Sequence, residues 1–171
     1  MKEAKGDRHV LLSALDQAYD RQSWHGTNLK GSLRGVSAAR ASKRPAPGRH
    51  NIWELAIHTA YWKYAVWRRL TGARRGSFPL DGSNWFERPA AGQSDQAAWR
   101  RDLRLLDDTH RQLRAAVAAL TPRDLVRRAP GSKFTNADLV SGIIAHDVYH
   151  AGQIQLVKKL NGKKTSGFVS F

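Results

Sequence analysis

Cysteine is absent from all 171 residues. That excludes a disulfide scaffold, a thiolate zinc site and a catalytic thiol supplied by the chain itself. Acidic residues are scarce: 14 Asp and Glu stand against 29 Lys and Arg, which leaves a formal charge of +15. No apolar run reaches the ~20 residues of a membrane span. The polar start, Met1 to Asp7, lacks the apolar core of a secretory leader. A soluble, cytoplasmic protein with no membrane partner is expected. No strand-like alternation of useful length appears either, so the expected fold is all-α.

The positive charge points towards polyanions, anionic metabolites or acidic surfaces. Its distribution narrows that choice. The densest groups, Arg68-Arg69 with Arg74-Arg75 and Arg100-Arg101 with Arg104, are interrupted by apolar or acidic residues. No zinc finger, homeodomain or RNA-binding aromatic motif occurs. The charge is therefore assigned to small-anion capture and solubility, and no specific nucleic-acid partner is expected. Non-specific DNA binding by counterion release would fade as salt rises.

What is present suits one domain over residues 1–171. The hydrophobic fraction is 41% and six Trp are included, which is enough for a real core. Four helical segments are predicted. The first runs from about Arg8 to Trp24. The second runs from Asn51 to Leu70, with Asn51 and Glu54 forming a capping box, and is apolar nearly all round. The third runs from about Asp95 to Leu120, with Ser94 as a possible cap, and carries the stripe Trp99, Leu103, Leu106, His110, Leu113, Val117, Leu120. The fourth starts at Thr135-x-x-Asp138 and ends near Asn161-Gly162. The natural architecture is a four-helix bundle with long helix 1–2 and helix 2–3 connections. A short helix over Ser37–Ser42 is allowed in the first connection. Phe78, Trp85 and Phe86 suggest that the second is ordered.

The fourth segment carries the clearest functional signal. Leu139, Ile143, His146, His150, Gln153 and Val157 share one helical face. Three polar groups in a row interrupt an apolar stripe, and unpaired burial of each costs a few kcal/mol. One divalent ion coordinated by His146 and His150, one turn apart, compensates for that cost. His58 lies on an apolar face near the middle of the second helix, at matching depth, and is the candidate third ligand. Three neutral imidazoles with an open fourth position describe a catalytic-type site. A lone buried His is most often a hydrogen-bonded core residue, and His110 is read that way, with a ligand role as the alternative. His25 and His50 flank the first long connection, and His9 is read as surface. Gln153 and Tyr149 are candidates for the outer shell or pocket wall, and Asp147, Trp62, Glu54 and His110 complete that set. His146-Asp147-x-x-His150 invites comparison with the zincin motif, but no His, Asp or Glu follows His150 to serve as a third ligand.

His58-Thr59-Ala60-Tyr61-Trp62, together with His-Asp-x-Tyr-His-x-Gly-Gln over His146–Gln153, resembles the DinB-like superfamily. The resemblance covers nearly the whole chain. It implies an up-down-down-up four-helix bundle, a homodimer, and a divalent metal held by His58, His146 and His150. It also implies kinship with zinc-dependent transferases and isomerases that use small thiols such as bacillithiol or mycothiol. The metal expected is zinc or nickel, with iron next. The function expected is that of a metal-dependent enzyme acting on a small molecule, either a small-thiol S-transferase or a hydrolase using metal-activated water. With no Cys, any thiol must come from a cosubstrate. The alternative is a non-catalytic, metal-stabilised binding protein whose basic surface meets an anionic ligand or nucleic acid.

Overall fold

The computed structural model describes residues 3–90, 92–93, 95–128 and 132–162, with residues 3–5 as backbone only. The described chain is all-helical. Its elements are α1 (Glu3–Tyr19), α2 (Leu29–Leu33), α3 (Ala38–Ser42), α4 (Ile52–Thr71), α5 (Gln96–Ala119), α6 (Pro122–Val126) and α7 (Asn136–Gly162). The four long helices, α1, α4, α5 and α7, correspond to the four predicted segments. Among the described residues the sole β feature is an isolated bridge, Arg128 to Thr135. No helix among them is long and apolar enough to cross a membrane.

Local chemistry sets most boundaries. Asn51 Oδ1 accepts from the Glu54 amide while Glu54 accepts from the Asn51 amide, which fixes the start of α4. Gly72, at φ 72°, ends it in the left-handed region. Thr135 and Asp138 form the same reciprocal pair before α7. Asp95 caps α5 by accepting from Ala97 and Ala98; Ser94 lies outside the described residues. Ser37 caps α3, so the short helix allowed by the sequence forms.

The first helix is displaced from its predicted span. It begins at Glu3 and stops at Tyr19, not near Trp24. The amides of Asp20 and Arg21 both close on the Asp16 carbonyl. The chain then turns through Gly26 at φ 106°, and Trp24 is left 97% exposed. The propensity of Arg21–Trp24 for helix had no apolar face to bury.

α4 packs on α5 and α7, and α1 closes against both α5 and α7. The resulting core has two apolar halves. One holds Leu29, Trp53, Ile57, Trp99, Leu106 and Ile154. The other holds Leu15, Val66, Leu113, Val117, Val140 and Ile143. The connection between α4 and α5 is ordered as expected: Phe86 is buried and Phe78 packs on it and on Tyr61.

A polar layer separates the halves. Lys63 of α4 and Asp147 of α7 are completely buried and form an ion pair. The His110 ring of α5 stacks on Tyr19 of α1 at 3.7 Å, and its Nδ1 lies 3.4 Å from the Lys63 ammonium. The Tyr19 hydroxyl donates to Asp107. Burial pushes the Lys63 ammonium down and the Asp147 carboxyl up in pKa, and each partner opposes the other's shift. Burial, with Lys63 next, holds His110 down to about 2. His110 is thus a neutral core residue.

Removing one member of this pair should leave a bare buried charge. Lys63→Met is expected to cost ~3–5 kcal/mol in urea denaturation, whereas the double variant Lys63→Met, Asp147→Leu should recover most of that loss. A double variant as unstable as the single would show that the layer is held by something other than the pair.

Candidate metal centre

The site is built where α4 faces α7. His58 is one turn beyond the capping box of α4, and His146 and His150 are one turn apart on α7. The Nε2 atoms of His58 and His146 lie 3.2 Å apart, and those of His146 and His150 lie 3.1 Å apart. One ligand atom from each of the three rings falls within 4.8 Å of the others. Tetrahedral Zn–N bonds of ~2.0–2.1 Å place neighbouring donors ~3.3 Å apart. The donor set therefore fits one small divalent ion.

The outer nitrogens settle what the inner ones can do. His58 Nδ1 donates to the Asn84 carbonyl at 2.8 Å, and His150 Nδ1 donates to Gln153 Oε1 at 2.7 Å. In each neutral ring the single proton is thereby spent, and Nε2 is left as a bare lone pair. His146 Nε2 faces both lone pairs and, with one proton at most, satisfies only one. Its own Nδ1 is buried without a partner. Burial, reinforced by the other two rings, holds His146 to about 3; burial and then His58 hold His150 to about 4. Burial also lowers His58, against the Asn84 hydrogen bond. All three rings are neutral near pH 7, the state in which imidazole ligates.

Two further groups shape the centre. Asn84, on the α4–α5 connection, adopts φ 65°, a left-handed conformation that Asn tolerates better than most residues. Its carbonyl holds His58 and its Oδ1 accepts from the Trp62 indole at 2.9 Å. The next residue, Trp85, lies between two imidazoles, stacked on His58 at 3.8 Å and on His50 at 3.6 Å. The three His open onto a cavity of about 790 Å³ that Trp62, Tyr149 and Gln153 also line.

Three of the outer candidates fall elsewhere. Asp147 points into the core onto Lys63, because successive helical residues diverge by ~100° and its neighbour His146 takes the cavity side. His110 sits in the polar layer and not among the ligands. The Glu54 carboxylate serves the α4 cap and also meets Arg44 and His50. His50 reaches the cavity through its stack on Trp85, whereas His25 and His9 are exposed. Asn84 and Lys63 carried no expectation in the sequence, and Trp85 was expected only to order its connection. Lys63 carried one signal, a lone charge inside a helix that is otherwise apolar nearly all round.

Two outcomes follow. Gln153→Leu removes the partner of His150 Nδ1 and should weaken metal affinity ~10–100-fold in a chelator competition titration while the helical circular dichroism stays unchanged; unaltered affinity would reduce Gln153 to packing. The second is a pH dependence. His146 and His150 have folded values below their ordinary 6.5, so the unfolded chain binds more protons between those limits. The stability of metal-free protein should be complete above about pH 6.5 and fall steadily towards pH 4. Urea midpoints measured in EDTA across that range test this, and a flat profile would contradict the burial of neutral rings.

No curated protein and no solved structure matches the chain. The DinB superfamily profile matches residues 14–154, which include all three His and both long connections. By that match, the chain belongs to the DinB superfamily.

Proposed function

We propose that the chain is a metal-dependent enzyme acting on a small molecule. One divalent ion would be held by His58, His146 and His150, zinc or nickel first and iron next. The observation that carries this reading is the convergence of three Nε2 atoms, two of them bare lone pairs, on one point at the floor of a cavity. Such an ion lowers the pKa of a bound thiol or water and so supplies a nucleophile near neutral pH. A small-thiol S-transferase or a hydrolase is the reaction class proposed. With no Cys in the chain, the thiol would be a cosubstrate.

The chain's own residues do the rest. Asn84 and Gln153 fix the tautomers of His58 and His150. Trp62 and Trp85 place aromatic surface beside the His58 and His146 rings, which strips water from one side of the centre. A purely structural ion would favour closure by a fourth protein ligand. Among the described residues the group has three members and His110 is not one of them, which favours catalysis over structural binding.

The proposal includes an up-down-down-up bundle. Its support lies in three pairings. Trp53 and Trp99, both near helix starts, meet at 5.2 Å, as parallel α4 and α5 require. Tyr19 near the end of α1 meets Asp107, whereas Arg8 reaches the Leu120 carbonyl past the end of α5. His58 lies against His150 while Lys63, further along α4, lies against Asp147. A homodimer, a cytoplasmic location and the absence of a specific nucleic-acid partner complete the proposal.

Metal analysis of protein purified without chelator tests it directly. Close to one divalent ion per chain is expected. Replacing His58, His146 and His150 together by Ala should remove it, and His110→Asn should not. Metal retained by the triple variant would place the ion elsewhere.

A further inference from the structure

We propose that the cavity over the three histidines takes an amphipathic anion, with a carboxylate-type head group at Arg49 and an apolar body along α7. This rests on reading the cavity as the substrate site and names the class of molecule that enters it.

The hydrogen-bonding inventory of the wall is one-sided. Apart from the imidazole nitrogens, its amide oxygens each already take a hydrogen bond, and no carboxylate is among the described lining residues. Gln153 Oε1 is taken by His150, the Asn84 carbonyl by His58, and Asn84 Oδ1 by Trp62. What is left over donates. The Tyr149 oxygen accepts from Gln153 Nε2 at 2.9 Å, so its own proton is free for a ligand. Tyr149 is 63% exposed. Gln153 Nε2 keeps a second hydrogen. Arg49 lines the same cavity, and its guanidinium has no carboxylate partner among the described residues. A ligand that satisfies such a wall must bring acceptors and negative charge.

Among the described residues no Asp or Glu lines the cavity. Glu54, one turn before His58, is occupied by Arg44, His50 and the Asn51 amide. Arg44 is occupied in turn, by Glu54 and the Arg49 carbonyl. A second cavity, about 540 Å³, differs in sign pattern: Asp20 and Asp107 line it together with Lys30, Arg34 and Arg100.

The apolar body has its own surface. Leu55, Leu156, Val157 and Leu160 line the cavity, and Leu156 and Leu160 are about half exposed. A volume of about 790 Å³ is ample for a chain of ~8 carbons plus a head group. A cation would find no carboxylate among the described lining residues and would face Arg49, and a neutral alcohol would leave Arg49 unpaired.

Octanoate, octan-1-ol and octylammonium serve as probes in titration calorimetry, on metal-loaded and chelator-treated protein. Octanoate should bind at least ~10-fold more tightly than octanol, and octylammonium should not bind. Arg49→Gln should shrink the preference for octanoate over octanol to less than about threefold, with metal content per chain unchanged. The preference should persist after chelation, because it belongs to Arg49. Four results would overturn the proposal: no binding by any probe, octylammonium binding as well as octanoate, a preference unchanged in Arg49→Gln, or a preference lost with the metal. A chain that carries no metal would refute the enzyme reading and still leave the Arg49 comparison decisive.

Discussion

The buried pair Lys63–Asp147 is the constraint on which the rest of the bundle depends. Each helix of the bundle supplies one polar residue to its layer: Tyr19, Lys63, His110 and Asp147. Lys63 is flanked by buried Ala60 and Val66, and Asp147 by buried Ile143 and Ala151. Sliding α4 along α7 by one turn would leave two buried charges facing alkyl groups, at a cost of several kcal/mol per ion. Apolar side chains alone tolerate such slips better. The register that satisfies this pair is also the register that sets His58 opposite His146 and His150.

The centre itself is held unequally. His58 is oriented by the backbone of a connection, His150 by a side chain of its own helix, and His146 by nothing at its outer nitrogen. A buried, unpartnered Nδ1 costs ~1–3 kcal/mol. His146 is also the ring whose Nε2 lies within 3.2 Å of both others. The stack of His50, Trp85 and His58 ties the first connection to the second across the same spot. Both long connections thus converge on the three rings, which accounts for why neither is a short turn.

Helix existence, two capping boxes and the three converging His were legible because each is local chemistry or simple periodicity. The capping pairs Asn51–Glu54 and Thr135–Asp138 are satisfied within four residues, and the 3.6-residue period carries the stripe of α5 unchanged into the core. What failed depends on tertiary partners. The most buried line on α7 runs through Val140, Ile143, Asp147, Ala151 and Ile154, and not through His146 and Gln153. A helix that meets α4 on one flank and α1 and α2 on others buries more than one stripe, and periodicity cannot rank them. Asp147 was placed on the wrong side for that reason. Lys63 was overlooked because a Lys in a buried helix makes sense only with its partner 84 residues away. Asn84 left no signal, since its role rests on a backbone carbonyl and a left-handed φ.

The scarcity of acids acquires a structural meaning. Seven of the 14 acids are committed to the frame: Asp16 to Arg114, Glu54 to Arg44 and the α4 cap, Asp107 to Tyr19 and Lys30, Asp102 to Trp53, Asp124 and Asp138 to helix starts, Asp147 to Lys63. The residual charge is what is left once a small number of acids has been used for caps and cross-helix pairs. The same frugality keeps carboxylates away from the three imidazoles. An Asp or Glu beside them would raise their pKa values and compete for any cation. Burial keeps the rings neutral, and the lack of a carboxylate beside them leaves that effect unopposed.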